Sequence, residues 1–180
     1  RISPYFVQNS WMKENETTFV AALLMPNILV TSVAGNSIQI ENITDYPYQN
    51  HFKFKITQTK TSKFTLKVRK PNWVQKVNTN EKFQIENGFI VINREFSTND
   101  YVDLSFEAKV EIKTDPSNAR YFTFGALLYA LPIDSKEISG RNYFGTFKDF
   151  TYEPKSNIRY TFKNNVKTKY EQGKIYTELI

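Results

Sequence analysis

The 180-residue sequence predicts an all-β fold: an antiparallel β-sandwich over residues 1–113, followed by a second, smaller β-sandwich-like unit over 114–180. Three observations carry that expectation. Phe, Tyr and Trp together with Val, Ile and Thr make up 71 of the 180 residues, against 18 for Ala, Leu and Met combined. Such side chains suit a pleated, half-buried surface and lose rotamer freedom in a helix. Apolar residues alternate with polar ones over several short runs, the period of a strand. Turn formers also recur roughly every 8–12 residues in the first part of the chain, a spacing expected of a sandwich.

Ser3 to Glu16 is the least periodic stretch and reads as irregular or as one short helix. Thr17 to Val30 reads as a strand interrupted at Met25-Pro26-Asn27, since Pro26 has no N–H to donate to a ladder. Ala34-Gly35-Asn36 signals a turn into Ser37 to Ile43, so these two runs form a hairpin. Phe52, Phe54 and Ile56 share one parity, as do Phe64, Leu66 and Val68, with lysines between; this predicts a second hairpin with its loop at Thr59 to Ser62. Short strands follow at Val74 to Val77 and Phe83 to Ile85, around the polar loop Asn78 to Glu81. Asn87-Gly88 is the strongest hairpin signal, because both residues tolerate positive φ, and it leads into Phe89 to Ile92. Strands at Tyr101 to Phe106 and Val110 to Ile112 complete the first part. Beyond the turn formers Thr114 to Asn118, the apolar run Tyr121 to Leu131 is expected to be buried on both faces. Ile133 to Gly140 reads as a loop, and Tyr143 to Tyr152, Ile158 to Phe162 and Ile175 to Leu179 as further strands.

Composition excludes several functions. There is no Cys and one His, so no sulfur-based or multi-histidine metal site can form, no cofactor is expected, and a Ser-His-Asp triad is confined to His51. His51 itself reads as a solvated residue at a strand start. Net charge is +6, with basic strips at His51 to Asn72 and from Lys155 onward. The first strip fits outward positions of strands, and no aromatic RNP motif, phosphate loop or basic helix accompanies it, so no nucleic acid is expected. No run approaches the roughly 18 apolar residues of a membrane span. The chain opens at Arg1-Ile2-Ser3-Pro4 without Met and reads as a piece of something longer. A cytoplasmic, periplasmic or secreted setting all fit.

Five segments together resemble a known family. Ala22-Leu23-Leu24-Met25-Pro26 and Thr44-Asp45-Tyr46-Pro47 are similar to the strand and Thr-Asp-Tyr-Pro turn after the catalytic barrel of glycoside hydrolase family 127, the bacterial β-L-arabinofuranosidases and their relatives. Phe64 to Trp73 resembles its Leu-x-Leu-Arg-Ile-Pro-x-Trp segment. Gly88 to Phe96, with Asn99-Asp100-Tyr101-Val102-Asp103-Leu104, resembles its Gly-Tyr-x-x-Ile-x-Arg-x-Trp and Gly-Asp-x-Val-x-Leu. Phe124 to Leu131 is similar to a Gly-Pro-Leu-Val-Tyr-Ala-Leu strand. Phe96, Asn99 and Ala126 depart from the pattern, and past Ile133 the match is faint, as at Asn157 to Phe162. The resemblance implies a parent glycoside hydrolase whose barrel, with its zinc-binding cysteines and catalytic glutamate, lies upstream.

The expected role is therefore a non-catalytic β-sandwich region supporting a catalytic barrel of the same parent chain. Glycoside hydrolysis ordinarily needs two carboxyl groups set a few Å apart, and Asp45, Asp100, Asp103 and Asp115 fall in turns or at strand starts, where Asp serves local hydrogen bonds. Tyr143, Phe144, Phe147, Phe150 and Tyr152 are candidates for an interface with the barrel or with a second subunit in a homodimer, with packing in a core as the default role for such a run. The alternative is a carbohydrate-binding module using Trp11, Tyr48 and Trp73 against a glycan; for Trp73, capping of the core is the competing role.

Overall fold

The computed structural model describes residues 2–156, 160–163 and 166–178. These form two compact units, Arg1–Lys109 with Phe124–Leu127, and Val110–Thr123 with Leu128–Ile180. The boundary expected between 113 and 114 falls inside a strand, Val110–Thr114.

In the first unit a short helix α1 (Ser3–Gln8) precedes ten strands: β1 (Trp11–Asn15), β2 (Thr18–Ala21), β3 (Asn27–Val33), β4 (Asn36–Ile43), β5 (His51–Gln58), β6 (Ser62–Arg69), β7 (Lys76–Thr79), β8 (Gln84–Glu86), β9 (Phe89–Phe96) and β10 (Tyr101–Glu107). They make two five-stranded sheets, in the orders β1-β2-β6-β9-β8 and β3-β4-β5-β10-β7. All pairs are antiparallel except β2 with β6, where Phe19 lies opposite Leu66 in a parallel register. β2 is buried along its whole length, as a parallel strand requires. Pro26 lies between β2 and β3 and belongs to neither.

The alternation read from the sequence decides what is inside. Ile38, Ile40, Phe52, Phe54, Ile56, Val102 and Leu104 of one sheet meet Phe19, Phe64, Leu66, Val68, Ile90 and Ile92 of the other in one core. At roughly 1.5–3 kcal/mol for each large side chain removed from water, this core is the main source of the unit's stability.

One expectation needs correction. The lysine-rich segments are β5 and β6, but they do not pair: β5 lies between β4 and β10, and β6 between β2 and β9, in opposite sheets. The connection after Gln58 is therefore an arch across the sandwich. Asn36 Nδ2 donates to Lys60 O and Ser62 Oγ, both at 2.6 Å, and the buried Gln58 amide donates to Phe96 O, tying the arch to both sheets. Alternating patterns are the same for a hairpin and an arch, because each fixes only which face is inward. The expected β3-β4 and β8-β9 hairpins do form, the latter turning on Asn87 and Gly88, both at positive φ. Asn78 and Thr79, expected in a loop, are the end of β7.

The second unit holds β11 (Val110–Thr114), most of β12 (Arg120–Phe124) and β13 (Leu127–Tyr129), then β14 (Ser135–Phe144) with β15 (Phe147–Pro154), and β16 (Lys169–Glu171) with β17 (Lys174–Tyr176). Three expectations fail here. The run Tyr121 to Leu131 is not one strand buried on both faces. It breaks at Gly125, whose φ of +60° a residue with a Cβ rarely adopts, and Leu128 and Leu131 are exposed. Ile133 to Gly140 is not a loop either, since β14 begins at Ser135. The strand expected from Ile158 starts outside the described residues, where Asn157 also lies, and Tyr160 to Phe162 are not strand; Leu179 is likewise outside them.

Among the described residues, Phe122 and Phe162 are the buried apolar side chains of this unit. They stack at 4.5 Å between ring centroids, with the Arg120 guanidinium 4.2 Å over Phe162. No helix among the described residues is long and apolar enough to cross a membrane.

Candidate functional site

Hydrolysis of a glycosidic bond would need paired carboxylates. Two converge on Arg94 of β9. Its Nε and Nη2 donate to the two Glu81 oxygens at 3.1 and 2.8 Å, and its Nη1 donates to Asp100 Oδ2 at 2.7 Å. The guanidinium also lies 4.0 Å over the Phe96 ring. The hydrogen bond from Arg94, then that from the Ser97 amide, holds the Asp100 carboxyl below the ordinary value of 3.8. A glycosidic general acid needs the opposite displacement, toward neutrality. This cluster is suited to stapling the β9-β10 turn to the loop after β7, and it gives Arg94 and Asp100 of the resemblance a structural reason.

Asp45 and Asp115 serve their own turns. Asp45 O accepts from the amides of Tyr48 and Gln49. Asp115 accepts from Ser117 Oγ and from the amides of Ser117 and Ala119, and the Ser117 hydroxyl foremost holds its pKa down. Asp103 instead reaches across the sheet: its Oδ1 lies 2.9 Å from Nε2 of His51, which opens β5 and stands exposed on the outer face. No group of three or more His, Asp or Glu able to hold a metal ion gathers among the described residues.

The candidate sugar-stacking rings are placed differently from one another. Trp11 donates from Nε1 to Asn27 Oδ1 at 2.8 Å and meets Phe54 edge-on at 6.1 Å. Trp73 meets Phe106 edge-on at 6.0 Å, in a series that continues through Phe52 to Tyr46. Both indoles are partly buried against the core, the capping arrangement. Tyr48 stands 78% exposed.

Sequence reading missed an apolar strip on the first unit. Tyr5, Phe6 and Val7 of α1 are exposed, as are Ile28 and Val30 on the outward parity of the edge strand β3. Val7, Trp11, Pro26, Ile28 and Val30 contribute to a groove of about 420 Å³. The signal was available: Ile28-Leu29-Val30 is apolar on both parities, which a strand with one wet face does not require.

The five expected interface rings all lie on the β14-β15 hairpin, between 43% and 82% exposed. The second unit also has a cavity of about 490 Å³ lined by Phe122, Tyr129, Leu131, Ile175 and Tyr176. Burial, then the hydrogen bond with Tyr170, pushes the Tyr129 phenol up to about 12.

Comparison with known proteins bears on these surfaces. The family model of the beta-L-arabinofuranosidase GH127 middle domain matches residues 18–108. No curated protein matches the chain. Among solved structures, a GH127 beta-L-arabinofuranosidase from Geobacillus stearothermophilus T6 is similar at TM-score 0.58 and 17% identity, over 83% of this chain and 31% of that one. A GH127 beta-arabinofuranosidase is similar at TM-score 0.58 and 18% identity, over 98% of this chain and 32% of that one. A further glycoside hydrolase gives TM-score 0.56 at 17% identity, over 79% and 28%. The chain thus spans about a third of the length of these relatives, and at such identities the likeness is one of fold.

Proposed function

The chain belongs to the family of the beta-L-arabinofuranosidase GH127 middle domain, and from that premise we propose that it is the non-catalytic β-sandwich region of a larger GH127 glycosidase, where it supports a catalytic barrel domain. The observation that carries this reading is the bare apolar strip of α1 and β3. Isolated exposed apolar residues are ordinary, but a contiguous apolar patch beside a groove marks an interaction surface. β3 is also an edge strand, whose unpaired backbone groups need cover of some kind. A neighbouring domain laid along it would remove Val7, Ile28 and Val30, which share the groove, from water together. The charged groups fit the same role, since the Arg94 cluster fixes a turn and holds the Asp100 carboxyl lowered, the opposite of what an acid catalyst needs.

Two measurements on arabinofuranosides test the reading. The purified 180-residue chain is expected to show no turnover, while the parent glycosidase hydrolyses them. In that parent, Val30→Asp is expected to lower the thermal midpoint of the catalytic domain by several degrees, with the sandwich of the isolated chain unaffected. Hydrolysis by the isolated chain overturns the proposal, and so does a Val30→Asp parent that melts like the wild type.

A further inference from the structure

We propose that a groove at one end of the sandwich, lined by Arg69, Lys70 and Tyr46, binds an acidic sugar, a uronate residue of a glycan, by its carboxylate. The groove measures about 310 Å³, and apolar Leu23, Leu24 and Pro71 share its wall with those three polar residues. Its size is at the lower end of the range of small-molecule sites. Such a site goes beyond the supporting role and does not depend on it.

The basic strip of His51 to Asn72 points to this place. Along the strands its cations have acids to face: Lys53 lies opposite Asp103, Lys55 opposite Glu41 and Lys63 opposite Glu95, and Lys67 Nζ is 2.6 Å from Glu14 Oε2. Arg69 breaks the series. Its cross-strand partner is Phe89, and among the described residues neither Arg69 nor Lys70 makes an ion pair. Lys60 lies on the exposed arch, at the opposite end of β6.

Neutral groups complete the site. Tyr46 is partly buried with its ring centroid 5.4 Å from that of Phe52, and its hydroxyl has no hydrogen-bond partner among the described residues. Burial foremost raises the Tyr46 pKa while the nearby Arg69 charge works against that, so the phenol is neutral and keeps a proton to donate beside the guanidinium. Lys70 Nζ donates to Val74 O at 3.2 Å, which leaves its other N–H groups open. Guanidinium and ammonium together suit a carboxylate, the former through its planar fork. A lone carboxylate would engage those two and leave the Tyr46 hydroxyl and the apolar wall wet. A uronate ring adds hydroxyls for the phenol and a C–H face for Leu23, Leu24 and Pro71. A phosphate backbone asks instead for a track of cations, and here the neighbouring ones are matched by acids.

NMR amide shifts of the 180-residue chain, followed during titration with methyl glucuronoside, methyl glucoside and acetate, test the site. The glucuronoside is expected to shift Leu23, Leu24, Arg69 and Lys70 with a Kd on the order of 1 mM that rises with added salt. The other two probes are expected to bind about tenfold more weakly or less. Arg69→Gln and Lys70→Gln are each expected to weaken glucuronoside binding about tenfold, and Tyr46→Phe, which loses only the hydroxyl, about threefold. Arg69 is exposed, so Arg69→Gln is expected to keep the wild-type melting temperature, and its loss of binding is then a lost contact with the sugar acid. No shift at about 50 mM glucuronoside overturns the proposal. So does equal binding of the glucoside, which leaves the cations no part, or of acetate, which makes the groove a seat for an acidic side chain of a protein segment. Binding that Arg69→Gln leaves unchanged overturns it too. None of these outcomes touches the thermal test of Val30→Asp, so this site and the supporting role can fail separately.

Discussion

The two units use the same aromatic vocabulary to different ends. In the first, the rings of β5 and β6 sit on a single parity of each strand, so Phe52, Phe54 and Phe64 are all buried. In the β14-β15 hairpin the rings fall on both faces: Phe150 and Tyr152 on one, Phe147 on the other, since it is an odd number of residues from them along β15. A strand can commit one face to a core only if its apolar residues keep to that face. Ring content alone therefore predicts a β-structure without saying whether a sheet will close over it. Among the described residues of the second unit, Phe122 and Phe162 make a core of one stacked pair, whereas the first unit buries two whole sheet faces.

The largest expected effect breaks the comparison at its strong side. Phe54→Ala removes a fully buried ring that also receives the edge of Trp11, and it is expected to cost about 3–5 kcal/mol in urea unfolding. Phe122→Ala, with fewer neighbours to leave a rigid cavity, is expected to cost about half of that or less. Hydrogen exchange resolved by residue separates the two, and equal losses would mean that the units are not as different as their cores.

A smaller effect sharpens what holds the first unit's loops. Arg94→Ala leaves Glu81 and Asp100 facing each other without a cation and is expected to cost about 1–3 kcal/mol, the lower part of the range applying because the cluster is partly solvated. Its pH dependence has a definite sign. Folding lowers the Asp100 pKa, so its contribution is complete above the unfolded value near 3.8 and fades as pH falls through the lower folded value. The wild type should therefore lose stability on acidification below about pH 4 more steeply than Arg94→Ala. Parallel acid curves for the two proteins would remove the ion pair from the account.

The smallest effect concerns Tyr48. With its ring open to solvent, Tyr48→Ala is expected to change stability by less than about 0.5 kcal/mol. On a glycan array the wild type and this variant are expected to behave alike. Glycan capture by the wild type that Tyr48→Ala abolishes would promote the binding-module alternative.

What was legible in the sequence follows from what local chemistry can encode. Asn87-Gly88 located a hairpin because two positive φ values suit few other pairs, and the alternation of Phe52-Phe54-Ile56 and Phe64-Leu66-Val68 named core residues correctly. The hairpin turn at Gly145 is hidden inside an aromatic run, and the strip of α1 and β3 shows in the sequence only as the two-parity apolar run Ile28-Leu29-Val30. Among candidate site residues, the resemblance supplied Arg94 and Asp100 as motif members, but their ion pair required Glu81 to arrive from the loop after β7.

The sequence by itself determined the β class, most turns and the inward parity of the central strands, because backbone preferences and period-two patterning act over a few residues. Tertiary structure alone decided that β5 and β6 belong to opposite sheets, that β2 runs parallel to β6, and that Trp11 and Trp73 turn their edges to core rings. Those outcomes depend on which strand becomes the neighbour of which. That choice is made by burying two apolar faces against each other across the whole chain, and no short stretch of residues contains it.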